Sequence, residues 1–402
     1  MSDAKFFIES IWFDSNFEEN NDQLVADIIN SSGPVVLFLL WEAFNPANGW
    51  GKRLNSLTTK IKLKNPDRPV ILIINSWYQP YSELKQIKSI DDIVYLDFFL
   101  LLVYHRLVVC KESELATTWN PDTKKFLFLT GKPSKIQRIR LLYKFAKNQL
   151  LSDAVWSLFY QDTGFKESRE FVPELTDVEY KKFFFDHCCN PDGIDIIENT
   201  GSLHYSGIPY NSIIYRNCDF QVISETHYSD GAWITEKTWL SIINRRPFII
   251  AGDTGTLKKL NDMGFRTFEK YLKISDYDCL HDPEQRLDSI VVNTLYWLEN
   301  IQEYQKEISQ DIEHNFKKIL ELANLNLQNI QGIINKYKLE STPEKLIPLY
   351  DTLAHAQWKE WYQRVRDPSW PDCKKEKDFF QLPNWIQKEL IEVFNYKPKK
   401  ST

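Results

Sequence analysis

The sequence predicts an open α/β fold made of two units in series. Three observations carry this. Short apolar runs, rich in branched and aromatic residues, neither alternate nor extend far enough for helices, as strands buried on both faces of a parallel sheet do. Polar segments long enough for helices or crossover loops separate them, which is the βαβ pattern. The pattern then recurs in the second half of the chain.

In chain order, Pro34-Val-Val-Leu-Phe-Leu-Leu-Trp41, Pro69-Val-Ile-Leu-Ile-Ile74, Ile93 to Leu96 and Lys125-Phe-Leu-Phe-Leu-Thr130 are expected as strands. Phe220-Gln-Val-Ile-Ser224 opens the second series. Thr235 to Asn244 follows as a helix, with Trp239, Leu240, Ile242 and Ile243 on a broad apolar face. Pro247-Phe-Ile-Ile-Ala251 is the next strand, and Thr254 to Met263 the next helix, stopped by Gly264. From Pro283 to about Tyr337 the pattern is strongly helical. Residues 343–402 contain Trp358, Trp361, Trp370 and Trp385, too aromatic for a free linker, and are expected to pack back on the body. The expected domains are an N-terminal unit over 1–120, a second over 121–340 and an extension over 341–402. In such folds ligands sit at the carboxyl ends of the strands.

Composition narrows the function classes. A chain of 402 residues has material for two or three domains. With 43% hydrophobic and 26% charged residues it is not a disordered chain. A net charge of −6 supplies no general basic face for nucleic acid. Six cysteines in such a length are no disulfide scaffold, and the absence of a Cys-x-x-Cys pair argues against structural zinc, although Cys188 and Cys189 follow His187 directly. Asp3 and Glu9 interrupt any secretory signal at the start, so a cytoplasmic location with free thiols is expected. The most membrane-like stretch, Ile93 to Cys110, contains Asp97, His105 and Arg106, which are expensive in lipid; buried core and no membrane span are expected. No Walker-type loop, Gly-x-Gly-x-x-Gly or Gly-x-Ser-x-Gly elbow occurs.

The most informative segment is Ser224-Glu-Thr-His-Tyr-Ser-Asp-Gly-Ala-Trp-Ile-Thr-Glu-Lys-Thr238, which joins a buried strand to a helix. Thr235 can cap free backbone N–H groups. Lys237 is the odd choice, because a cation near a helix N-terminus opposes the dipole. Glu236 offsets part of that cost, and an anionic ligand would reverse it. Backbone N–H groups plus a lysine suit a phosphate, and a neighbouring carboxylate suits a sugar hydroxyl pair. The alternative is an ordinary strand–loop–helix with a surface Glu-Lys pair. His227 in the loop is open to a role at a sugar or to plain exposure.

This stretch resembles the signature of family 10 glycosyltransferases, the α1,3-fucosyltransferases. Glu225 matches the glutamate of the family's Phe-Glu-Asn strand end, and Trp233-Ile-Thr-Glu-Lys237 matches its aromatic-apolar-Thr-Glu-Lys helix start. Pro247-Phe-Ile-Ile-Ala-Gly252 resembles the following proline-led strand. The run from Glu225 to Phe268 is still more similar to predicted glycosyltransferases of phages and large viruses, and a weaker likeness reaches back to Phe126. Departures are Thr226 in place of Asn, Trp233 in place of Tyr, and a loop one residue longer, so fucose does not follow as the donor sugar.

The resemblance implies a GT-B-like architecture: two Rossmann-like domains with a central cleft, here with a helical C-terminal extension. It also implies an arginine after an earlier strand that holds the donor diphosphate. Gly131-Lys-Pro-Ser-Lys-Ile-Gln-Arg-Ile-Arg140 follows the strand ending at Thr130; Arg138 fits the spacing best and Arg140 is the alternative. Such a basic cluster suits two phosphates, or else is a solvated helix face. By resemblance, Arg138 and Lys237 neutralise the leaving diphosphate, Glu236 holds the ribose, and Glu225 lies near the sugar or shapes the loop. A base must take the acceptor proton, and Glu42, which follows the strand ending at Trp41, is the candidate. Asp276-Tyr-Asp278 could share a cation, but capping or loop hydrogen bonds are expected there. The related viral-type sequences often carry the same Tyr-Asp pair.

The expected function is therefore transfer of a sugar from a nucleotide-diphosphate sugar to a hydroxyl of a glycan or other acceptor, inverting, with no required metal or other cofactor. A modified DNA base is the alternative acceptor, mildly opposed by the net charge. A non-catalytic module that binds nucleotide sugar or glycan is the other alternative.

Overall fold

The computed structural model describes residues 5–8, 26, 28–30, 32–39, 50–75, 84, 86–109, 115–116, 118–130, 135–157, 168–187, 212–226, 228, 232–339 and 341–343. The described residues form an α/β protein with two four-stranded parallel sheets. By its contacts the described chain divides into two units. One holds the residues up to 109 together with those from 320, and the other holds 115–319.

In the first unit, β1 (Lys5–Ile8), β2 (Val35–Leu39), β3 (Val70–Asn75) and β4 (Asp92–Leu96) lie in sequence order, every pair parallel. Two of the apolar runs read as strands are deeply buried, Val35, Val36 and Val70 to Ile74 being at most 1% exposed, while in β4 Ile93 and Tyr95 are only partly buried. Helix α1 (Trp50–Lys64) buries Leu54, Leu57, Thr58 and Ile61, a 3–4 spacing that makes one apolar stripe. The stretch from Ile93 divides after Leu96. There the chain enters helix α2 (Phe98–Tyr104), whose Phe98 to Val103 are all buried, and then a π-type turn over His105–Val109. Among the described residues no helix is long and apolar enough to cross a membrane.

In the second unit, β5 (Phe126–Leu129), β6 (Ala154–Ser157), β7 (Phe220–Ser224) and β8 (Phe248–Ala251) are all parallel, in the order β6-β5-β7-β8. Helix α3 (Ile136–Lys147) follows β5, and α4 (Asp177–His187) and α5 (Ser212–Arg216) precede β7. Helix α6 (Glu236–Ile243) connects β7 to β8, and α7 (Thr256–Asp262) follows β8. Aromatic rings build one side of this core. Phe145 of α3 meets Phe126 and Phe128 edge-on at 5.1 Å, Phe126 stacks on Phe220 at 5.7 Å, and Phe220 meets Trp297 at 5.1 Å. Trp297 belongs to α8 (Pro283–Asn300), so α3 and α8 cover the same face.

The order of this sheet has a functional consequence. From β5 the chain moves outward to β6, then returns past β5 to β7 and continues to β8 on the other side. The direction reverses between β5 and β7. A crevice forms at such a switch point, because the two connections leave the sheet in opposite directions.

The expected helical stretch from Pro283 is interrupted. Helix α8 ends at Asn300, a 3-10 turn covers Ile301–Tyr304, and α9 runs from Gln305 to Tyr337. Residues of α9 up to 319 belong to the second unit and those from 320 to the first. Polar bonds tie this later stretch to the first sheet, and its Ala323, Ile330 and Ile334 are buried. Asn326 accepts from the Asp97 N–H at 3.0 Å, while Lys336 and Tyr337 both engage Asp92. A division at 120 and 340 leaves these links out, because they join residues more than 200 positions apart. Of the extension expected over 341–402, only 341–343 fall within the described residues.

Candidate functional site

The site forms where β5 and β7 end. At β7 the chain passes from Ser224 to Glu225, a carboxylate with no exposure at all. Burying it requires donors, and the start of α6 supplies them. Glu225 Oε1 accepts from the Thr235 N–H at 3.1 Å and from Thr238 Oγ1 at 2.6 Å, and Oε2 accepts from Thr235 Oγ1 at 2.5 Å. Both ends of the β7–α6 segment are thereby tied to one side chain. Burial pushes the Glu225 carboxyl above its ordinary value, opposed by the charge of Lys237 and by the two threonine hydroxyls.

Thr235 is the N-cap of α6, its Oγ1 accepting from the Lys237 N–H at 3.5 Å. The Lys237 ammonium folds over this start. Its Nζ lies 2.7 Å from Glu236 Oε1, 3.2 Å from Thr235 Oγ1 and 3.4 Å from Thr226 Oγ1. Glu236 and Lys237 keep 14% and 20% of their side-chain exposure, so the pair is sheltered but reachable. Trp233 is buried at 7% exposure.

The β5 side joins the site through Gln137, which is 1% exposed. Its Nε2 donates to the carbonyl of Glu225 at 2.5 Å and approaches that of Thr226 at 3.5 Å. The first turn of α3 contains no acidic residue, and the side chain of its N-cap residue, Lys135, does not cap it, a helix start that favours an anion. Arg138, the next residue, is buried at 5% exposure in that turn. Thr226 is thus the common point: its carbonyl faces Gln137 and its hydroxyl faces Lys237.

Arg140 is engaged elsewhere. Its guanidinium meets Glu174 and Glu284, and Lys144 in turn meets Glu284 and Asp288. Two carboxylates hold the Arg140 guanidinium in its charged form and push its pKa up. This network ties α3 to α8 and to the segment before α4. Of the two arginines weighed for a diphosphate, Arg138 is buried in the turn whose Gln137 bonds the Glu225 carbonyl, and Arg140 is in the ion-pair network. Glu42 and His227 lie outside the described residues.

Three further residues complete the surroundings. Asp278, 4% exposed, accepts from the Leu257 N–H at 3.0 Å and so caps α7, whose N-cap residue Gly255 has no side chain to do it. Burial raises the Asp278 carboxyl to about 6. Its neighbour Tyr277, fully buried, accepts from Ile250 N at 2.9 Å and donates to Ile250 O at 3.1 Å. The phenol closes the outer edge of β8, which gives the Tyr-Asp pair a physical role. Among the described residues no group of three or more His, Cys, Asp or Glu could hold a metal ion. Arg286, 2% exposed, donates to Tyr228 O in the β7–α6 segment.

Sequence reasoning missed Gln137 and Thr238 as parts of this locus; it offers Tyr228 only as one of an aromatic-polar pair with His227, and leaves Arg286 open between reaching the cleft and a helix-surface charge. Gln137 gave no signal, being one polar residue in a basic run. Arg286 did. It ends the first turn of a helix capped by Asp282, where a cation opposes the dipole just as Lys237 does.

Compared with known proteins, no family model, no curated protein and no solved structure matches the chain.

Proposed function

We propose that the chain is a glycosyltransferase of GT-B type, and that the 115–319 unit binds a nucleoside-diphosphate sugar at the carboxyl ends of β5 and β7. One observation supports this above the others: a sheltered lysine at the start of α6 and the first turn of α3 meet through Thr226 at the switch point of a parallel sheet. An anion is the ligand that such a place favours, through helix dipoles, backbone N–H groups and the ammonium.

In this reading Lys237 exchanges its contact with Glu236 for a phosphate oxygen. Glu236, released, accepts from the ribose hydroxyls. Arg138 supplies the second positive charge. The acceptor hydroxyl attacks the anomeric carbon and loses its proton to a carboxylate, for which Glu42 is our candidate. The bond to the diphosphate breaks with its electron pair, and the leaving group is neutralised by Lys237 and Arg138. Glu225 stays beneath as a strut and takes no part in bond making.

The test is a thermal-shift screen of the whole chain against UDP-, GDP-, TDP- and CMP-sugars, repeated on Lys237→Ala and Arg138→Ala. A shift with one nucleotide class, lost in Lys237→Ala, is expected, since a ligand at about 100 times its Kd adds about 2.7 kcal/mol to the folded state. No shift with the UDP-, GDP- or TDP-sugar overturns the proposal, and so does a shift with the CMP-sugar alone, which carries no diphosphate.

A further inference from the structure

We infer that Arg286 is a positioning residue: it sets the β7–α6 segment, and through it Thr226, Glu236 and Lys237, for the nucleoside-diphosphate group proposed above, on which reading the inference rests. Its guanidinium holds three separate connections at the same end of the sheet. Nη1 donates to Thr254 Oγ1 after β8 and to Leu280 O before α8, each at 2.7 Å. Nη2 donates to Tyr228 O in the β7–α6 segment at 3.0 Å. The guanidinium carbon also lies 4.2 Å from the centre of the Tyr228 ring, within cation–π range. Tyr228 in turn donates from its hydroxyl to Pro283 O at 3.0 Å, so ring, carbonyl and hydroxyl are all fixed to the start of α8.

The chemistry of the partners is what singles this arginine out. Arg140 is neutralised by carboxylates, whereas no carboxylate among the described residues hydrogen-bonds Arg286. Its acceptors are two carbonyls and one hydroxyl, and it is 2% exposed. A buried cation spent on carbonyls is a costly way to gain stability compared with an apolar side chain of similar volume. Its planar fork instead fixes three chain segments at defined angles and distances. A second tether reinforces the same segment: Lys259 Nζ of α7 donates to Ala232 O at 3.0 Å. With Glu225 holding the segment at Thr235, the stretch is pinned at Tyr228, Ala232 and Thr235.

The experiment compares Arg286→Met and Arg286→Lys with the unaltered chain by two independent readouts. The first is amide hydrogen exchange of peptides covering 225–237, set against peptides of β5, β7 and β8. A positioning role predicts that Arg286→Met raises exchange in 225–237 by about tenfold or more while the strands keep their protection, and that Arg286→Lys restores part of it. The second is affinity for whichever of UDP or GDP the unaltered chain binds, measured well below the melting temperature of each variant. A loss of about tenfold in Arg286→Met, partly restored in Arg286→Lys, is expected. A merely structural role lowers the melting temperature and leaves both readouts unchanged. Unchanged exchange in 225–237, or a rise spread equally over the strands, overturns the inference. Should Arg286→Met fail to fold, Thr254→Val removes one acceptor and must raise exchange in the same segment to a smaller degree; no rise there also overturns it. If the unaltered chain binds no nucleotide, the proposed function fails, and the exchange readout still decides the role of Arg286.

Discussion

Replacing Glu225 with alanine removes an acceptor from three buried donors at once: the Thr235 N–H, the Thr235 hydroxyl and the Thr238 hydroxyl. Each buried donor left without a partner costs about 1–3 kcal/mol. Three of them give roughly 3–9 kcal/mol, and a water entering the vacated space recovers part, so a loss of about 3–5 kcal/mol is expected. Glu225→Gln is milder. Its carbonyl oxygen keeps two of the three bonds and only one hydroxyl loses its acceptor, for about 1–2 kcal/mol. Urea unfolding followed by far-ultraviolet circular dichroism, at pH 7, measures both. The pH dependence is an internal check. The folded-state pKa of Glu225 is raised, so its contribution is fully present below the ordinary carboxyl range, where both states are protonated. As pH rises the unfolded chain ionises first, and the contribution falls. The gap between the unaltered protein and Glu225→Gln, which does not titrate, must therefore narrow as pH rises. A cost below about 1 kcal/mol for Glu225→Ala, or a gap that widens with pH, refutes the view of Glu225 as a buried strut.

Two other perturbations follow from the same geometry. A Cβ added at Gly252 would lie 2.7 Å from Thr256 Oγ1 and 3.2 Å from its Cβ and Cγ2. Gly252→Ala is expected to cost about 1–3 kcal/mol in urea unfolding, and Thr256→Ala in the same chain to give part of it back; additive costs would deny the clash. Asp278 has its carboxyl raised by burial to about 6, from an ordinary 3.8. Its contribution is present below the ordinary value and lost as pH rises through about 6, a change of order 3 kcal/mol. Asp278→Asn should flatten the fall in stability between about pH 4 and pH 6, as followed by thermal unfolding; an unchanged slope means another group carries it.

Several parts of this architecture could be read from local sequence because local physics decides them. Parallel strands announce themselves as apolar runs, since a strand covered on both faces tolerates no alternation: β2, β5, β7 and β8 each lie inside the stretch expected for them, and β3 overruns its stretch by Asn75. The boundaries of α6 follow from Thr235 as a cap and from the polar Asn244 beyond its last apolar turn. β6 escaped notice because Ala154–Ser157 is four residues long and only half buried at its start, which leaves no run to see. Lys237 stood out because a cation at a helix start is locally unfavourable.

Other facts needed the tertiary structure. That Gln137 reaches the Glu225 carbonyl while Arg140 joins Glu174 and Glu284 depends on which way each points from one helix turn, and on partners up to 144 positions away. That Asp278 caps a distant helix, and that Arg286 holds Tyr228, Thr254 and Leu280, depends on loops brought to one end of a sheet. The sequence by itself determined most of the strands and helices and where charge sits against its own helix, because periodicity, capping and dipoles act within a few residues. Only the tertiary structure decided the order β6-β5-β7-β8, and with it the meeting of β5 and β7 ends. Strand order is set by long-range burial and pairing, which no single window of residues contains.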